Sequence, residues 1–170
     1  MSMDLNISSR LCGLTFCSLG VKDMTISNIK RFDEFTGQIL GVLYESFPVP
    51  RHLLLKDLTP DGFTFNDFLG YEIPNENGEF LFACIDWLAE SGYLRFTDKV
   101  QATGYTEAVL TAKGLEVLKA TPNSLSTDSS LGDQLVDATK TGAKGLVGDL
   151  AGQALSIGVK FVSNHFGLPG

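Results

Sequence analysis

FLFACIDWLAESGYLRFTDKVQATGYTEAVLTAKGLEVLKA, residues Phe80 to Ala120, carries the strongest structural signal in the chain. Phe80, Leu81, Cys84, Ile85, Trp87 and Leu88 recur at helical spacing and make an apolar face broad enough to be covered from two sides. This predicts a helix from Glu76 or Gly78 to Ser91, with Gly92 as its left-handed exit. Tyr93 to Phe96 reads as a short strand. Thr97 to Thr106 reads as an exposed hairpin in which Gly104 permits a tight turn, and Tyr105 to Leu110 as the strand that follows. Thr111 is placed to cap a closing helix with Leu115, Val117 and Leu118 as its apolar contacts, and Pro122 lies just beyond its end.

Working outward towards the N-terminus, Asn28 to Phe47 is also helical in pattern. Phe32, Phe35, Ile39, Val42 or Leu43, and Phe47 recur at three and four, while Lys30, Arg31, Asp33, Glu34, Gln38 and Glu45 fall largely outside that stripe. Pro48 and Pro50 stop the helix. RHLLLKDL, Arg51 to Leu58, reads as a second helix of about two turns, its consecutive leucines buried against the first helix and the Trp87 helix. Between Thr59 and Gly78, Pro60, Asp61 and Gly62 mark a turn, and Thr64 with Asp67 suits the cap of a short helical turn. The same segment holds Phe63, Phe65, Phe68, Tyr71 and Ile73. Two readings stand: the rings seal one edge of a small core, the plainer account, or some are exposed and dock a partner or a second subunit.

The run WLAESGYLRF at 87–96, then a wing, then AVLTAKGLEVL at 108–118 resembles the winged helix-turn-helix superfamily. The ending is similar to that of MarR-like, PadR-like and small phage or bacterial winged-helix proteins. The resemblance covers roughly residues 30 to 120 and implies an α+β, mainly helical fold with a two-stranded wing hairpin. On that pattern, Glu76 to Ser91 matches the recognition helix and Asp98 to Tyr105 the wing. The chain then divides into an N-terminal arm (1–27), a winged-helix domain (28–120), a linker (121–131) and a glycine-rich helical tail (132–170).

Charge argues about what such a domain would bind. The chain carries a formal net charge of -7, and 14 acids against 8 bases fall between residues 30 and 120. A duplex-binding protein normally presents a basic footprint. On the helix that would read DNA, the face opposite the apolar one carries Glu79, Ala83, Asp86 and Glu90, and the wing tip offers one cation, Lys99. The residues that DNA contact would use are Asn75, Asn77, Arg95 and Lys99.

Catalytic chemistry has little to stand on. Asp61, Asp67, Glu72, Glu76 and Glu79 show no spacing that selects a carboxylate pair, and the glycines follow no phosphate-cradling pattern between a strand and a helix. His52 has no nucleophile beside it. Cys12 and Cys17 are two ligands where zinc needs about four, and with Cys84 they make an odd set that suits reduced thiols and a cytoplasmic protein. No metal or cofactor is expected. Arg10 precedes an apolar stretch, Leu11 to Val21, which suits a short strand or helix laid over the domain better than a secretory signal.

The tail places Gly145, Gly148, Gly152 and Ser156 three or four apart, flanked by Leu146, Leu150, Leu155, Val159 and Val162. Each glycine costs about 1 kcal/mol of helix propensity relative to alanine, so a helix here needs a close-packed neighbour. The uncharged run Leu150 to Val159 falls well short of the roughly twenty residues of a membrane span. Self-association, contact with a membrane surface, and a weakly ordered tail are the three readings. The whole points to a non-enzymatic module for protein association, as a homo-oligomer or an assembly component, with a candidate surface of Phe63, Phe65, Phe68, Tyr71, Glu79, Asp86, Glu90, Gly145, Gly148, Gly152 and Ser156. The alternative is a DNA-binding regulator that dimerises through its tail.

Overall fold

The computed structural model describes residues 27–121 and 129–165. The N-terminal arm with Cys12 and Cys17, most of the expected linker, and the side chain of His165 lie outside the described residues. Among the described residues the fold is α+β and mostly helical, with six helices and small antiparallel sheets.

Helix α1, Asn28–Ser46, starts where Ser27 accepts a hydrogen bond from the Lys30 amide. It buries Ile39, Leu40 and Leu43 completely or nearly so. Arg51 to Leu58 departs from the helix expected there: Arg51–Leu54 is strand β1 and only Leu55–Leu58 makes a single helical turn, α2. Alternation explains the difference, because Leu53 and Leu55 point into the core while Leu54 faces outward. The backbone groups of β1 are taken up by pairing, Leu53 opposite Tyr105 and Leu54 opposite Gly104.

The next segment is a two-stranded hairpin, β2 (Phe63–Asn66) and β3 (Tyr71–Pro74), in place of a helical turn. Helix α3, Glu76–Glu90, follows with Asn75 as its cap. Leu81, Ile85 and Leu88 are fully buried against α1 and the sheet. It ends as expected: Gly92 takes φ +75°, and the Tyr93 amide reaches back to the Leu88 carbonyl at 2.9 Å, closing a Schellman-type exit.

Strands β4 (Leu94–Arg95), β5 (Asp98–Val100) and β6 (Gly104–Leu110) complete the sheet, and α4 (Ala112–Lys119) is capped by Thr111 as its position suggests. Strand β6 is central. It pairs with β1 on one side and, on the other, first with β5 and then with β4. Glu107, at φ +50°, sits where β6 passes from β5 to β4.

The tail forms α5 (Leu131–Thr141) and α6 (Lys144–His165), and both lie against α1. The approach is close because α1 offers Gly37 and Gly41 one turn apart. A Cβ at Gly37 would stand 2.5 Å from Val147 Cγ1 and 2.6 Å from the Val147 carbonyl; one at Gly41 would stand 3.2 Å from Thr139 Oγ1. Leu131, Leu135, Val147, Leu150 and Ala154 join the central core through these contacts. Within the described residues no helix is long and apolar enough to cross a membrane.

Candidate functional site

The β2–β3 hairpin is built to hold apolar groups in water. Its register pairs Phe65 with Glu72 and Asn66 with Tyr71, so Phe65 and Tyr71 occupy opposite faces of the ribbon. At the tip, the Asn66 side-chain carbonyl accepts hydrogen bonds from the Phe68 and Leu69 amides, both at 3.0 Å, while the Gly70 amide bonds the Asn66 carbonyl at 2.8 Å. This Asx-type turn fixes the backbone. It leaves Phe68 95% exposed, with Phe65, Leu69 and Tyr71 each open by about half. Phe63 alone turns inward, half-buried against the core with the Lys56 ammonium 5.5 Å from its ring centroid. Lys56 also pairs with Glu72 and ties the hairpin to α2. The plainer expectation, that these rings seal a core edge, therefore applies to Phe63; Phe65, Phe68 and Tyr71 are surface groups. Leu69 belongs with them and was legible only as one more apolar residue beside the turn glycine.

The acidic face of α3 separates into two kinds of residue. Glu79 and Glu90 are exposed. Asp86 is engaged: Lys99 Nζ lies 2.6 Å from Oδ2, and the Tyr105 hydroxyl donates to Oδ1 at 2.8 Å with the Phe82 carbonyl at 3.1 Å. Burial first, and then the Asp86 carboxylate, push the Tyr105 phenol well above its ordinary range. Asp86 thus fastens the β5–β6 hairpin to α3.

The residues that DNA contact would use are also occupied within the fold. Asn75 caps α3 through the amides of Asn77 and Gly78 and donates to the Asp61 carbonyl at 2.7 Å. Asn77 accepts from Arg31 at 2.6 Å, and Lys99 is held by Asp86. Arg95 is exposed on β4.

Nor do the four small residues of the tail form one contact stripe. Gly145 and Gly152 face open space, Gly148 packs towards Glu34 of α1, and the Ser156 hydroxyl donates to the Gly152 carbonyl at 2.8 Å. The packed side of α6 is instead Val147, Leu150, Ala151 and Ala154.

Among the described residues no group of three or more His, Cys, Asp or Glu is placed to hold a metal. Cys84 is buried, and burial pushes its thiol to about 12, with Arg31 pulling weakly the other way. His52 is exposed on β1. Comparison with protein-family models, with curated proteins and with solved structures gave no match.

Proposed function

We propose that this chain is a non-enzymatic module of the winged-helix type that acts in protein association, with the β2–β3 hairpin as its docking element. The order α3, β4, the β5–β6 hairpin and α4 supports the winged-helix reading, and the one-turn α2 and the inserted β2–β3 hairpin weigh against an ordinary helix-turn-helix spacing. The observation that carries the association reading is Phe68, almost wholly exposed at a tip whose backbone is held by Asn66. Aromatic groups presented in a fixed conformation cost little ordering entropy on binding and are favoured at the centres of protein interfaces.

DNA binding is the weaker reading. It would need the internal bonds of Asn75, Asn77 and Lys99 to be given up, against a net charge of -7. Sedimentation velocity on the wild type and on the Phe68→Ser variant tests the proposal, with association weakened in the variant. Micromolar binding of mixed duplex DNA that falls steeply with salt, unaffected by Phe68→Ser, would replace it with the regulator reading.

A further inference from the structure

An apolar groove of about 410 Å³ runs between α1 and α3, apart from the hairpin surface. Its walls are Ile29 and Phe32 from α1 and Phe80, Ala83 and Trp87 from α3, and Cys84 forms part of its lining. Ile29 is 72% exposed and Trp87 44%. Trp87 is held edge-on against Phe32 at 5.0 Å between centroids and stacked near Tyr93, so its open side is a settled feature of the groove. Apolar side chains converging on one concave site make a surface suited to an apolar segment.

We infer that the groove is the seat of this chain's own apolar stretch Leu11 to Val21. The groove begins at Asn28 and Ile29, the first turn of α1, which is where the N-terminal arm joins the described fold. Lys22 to Ile26 separate the stretch from that point, and five extended residues reach about 17 Å, enough to turn back along the groove. So short a tether gives an effective concentration on the order of millimolar, which lets a weakly binding segment stay seated. Leu11, Leu14, Phe16, Leu19 and Val21 supply the apolar groups. These apolar groups meet an apolar floor of Ile29, Phe32, Phe80, Ala83 and Trp87 that lies within reach of their own tether.

Trp87 is the chain's one tryptophan, so acrylamide quenching of its fluorescence in the full-length protein reads the groove directly. Seating predicts a shielded Trp87 in the wild type and a quenching constant about twofold higher in the double variant Phe16→Asp with Leu19→Asp, because the indole is uncovered. Ile29→Asp, at a position exposed in the fold, should produce the same rise from the other side of the contact. Far-UV circular dichroism and a retained cooperative urea transition establish that the variants are folded. A Trp87 as accessible in the wild type as in the variants overturns the inference, as does shielding that survives both substitutions. Shielding lost on dilution, together with a fall from dimer to monomer mass, overturns it in favour of a second copy in the groove. Phe68→Ser leaves the quenching unchanged, so this result and the hairpin proposal stand or fall separately.

Discussion

Two antiparallel hairpins flank α3 in the chain, and they treat their aromatic rings in opposite ways. In β5–β6, Tyr105 points inward, 1% exposed, with Phe96 and Phe82 at 4.6 and 5.6 Å between centroids. In β2–β3, Phe65, Phe68 and Tyr71 point outward. Local pattern does not separate the two, since both alternate and both carry turn residues. What separates them is the third layer: β6 has β1 on its far side and α3 beneath it, whereas β2–β3 is a ribbon of two strands alone. A two-stranded hairpin has too little neighbouring surface to bury both its faces.

The contrast can be broken most forcefully at Tyr105. Tyr105→Ala should cost about 3–5 kcal/mol in urea unfolding, as for other large core aromatics; a loss below about 1 kcal/mol would mean that the two hairpins do not differ in burial energetics after all. Removing the hydroxyl alone, in Tyr105→Phe, should cost about 1–3 kcal/mol because Asp86 loses a buried donor. The same hydroxyl sets a pH dependence. Tyr105 and Tyr93 have folded pKa values raised above the ordinary 10 by burial, so their contribution is intact below that value and is lost as pH climbs past it. Urea midpoints between pH about 8 and about 11 should therefore fall at the alkaline end, less steeply in Tyr105→Phe. Lys99→Ala tests the surface part of the same anchor. Both partners are partly solvated, so about 0.5 kcal/mol or less is expected in the same unfolding assay. Smallest of all is Phe68→Ser, which should change the unfolding free energy by no more than about 0.5 kcal/mol in either direction while altering association.

These differences also show what could be read from the residues alone. Helices α1, α3 and α4 were legible because each carries a sustained period; Thr111 makes the capping bond its position suggests, while the caps Ser27 and Asn75 emerge only from the fold. Leu53, Leu54 and Leu55 were misread because three leucines in a row have no period, and the deciding interaction, pairing with β6, lies some fifty positions away. Phe63 to Pro74 was misread because Thr64 with Asp67 has the form of a helical cap, whereas Asn66 and Gly70 close a strand turn there. In the tail, Gly145, Gly148, Gly152 and Ser156 recur three or four apart, the spacing of a contact stripe, yet they do not form one. Glycines that do let helices meet closely are Gly37 in α1 and Gly132 in α5; Gly37 looks like a neutral spacer in the α1 stripe until α6 is in place. Asp86 counted equally with Glu79 and Glu90 as surface charge, since nothing local reveals that Lys99 and Tyr105 fold back onto it.

The close seating of Val147 on Gly37 bears on how the protein is made. The first described helix has its main partner in the last, so its apolar stripe has no proper cover while the intervening chain is being synthesised. At 5–20 residues per second that interval is on the order of ten seconds, long compared with the formation of a helix. For that period α1 has no α6 to cover it, and apolar surface left open in this way favours aggregation. Loss of α6 by premature termination would make that transient condition permanent.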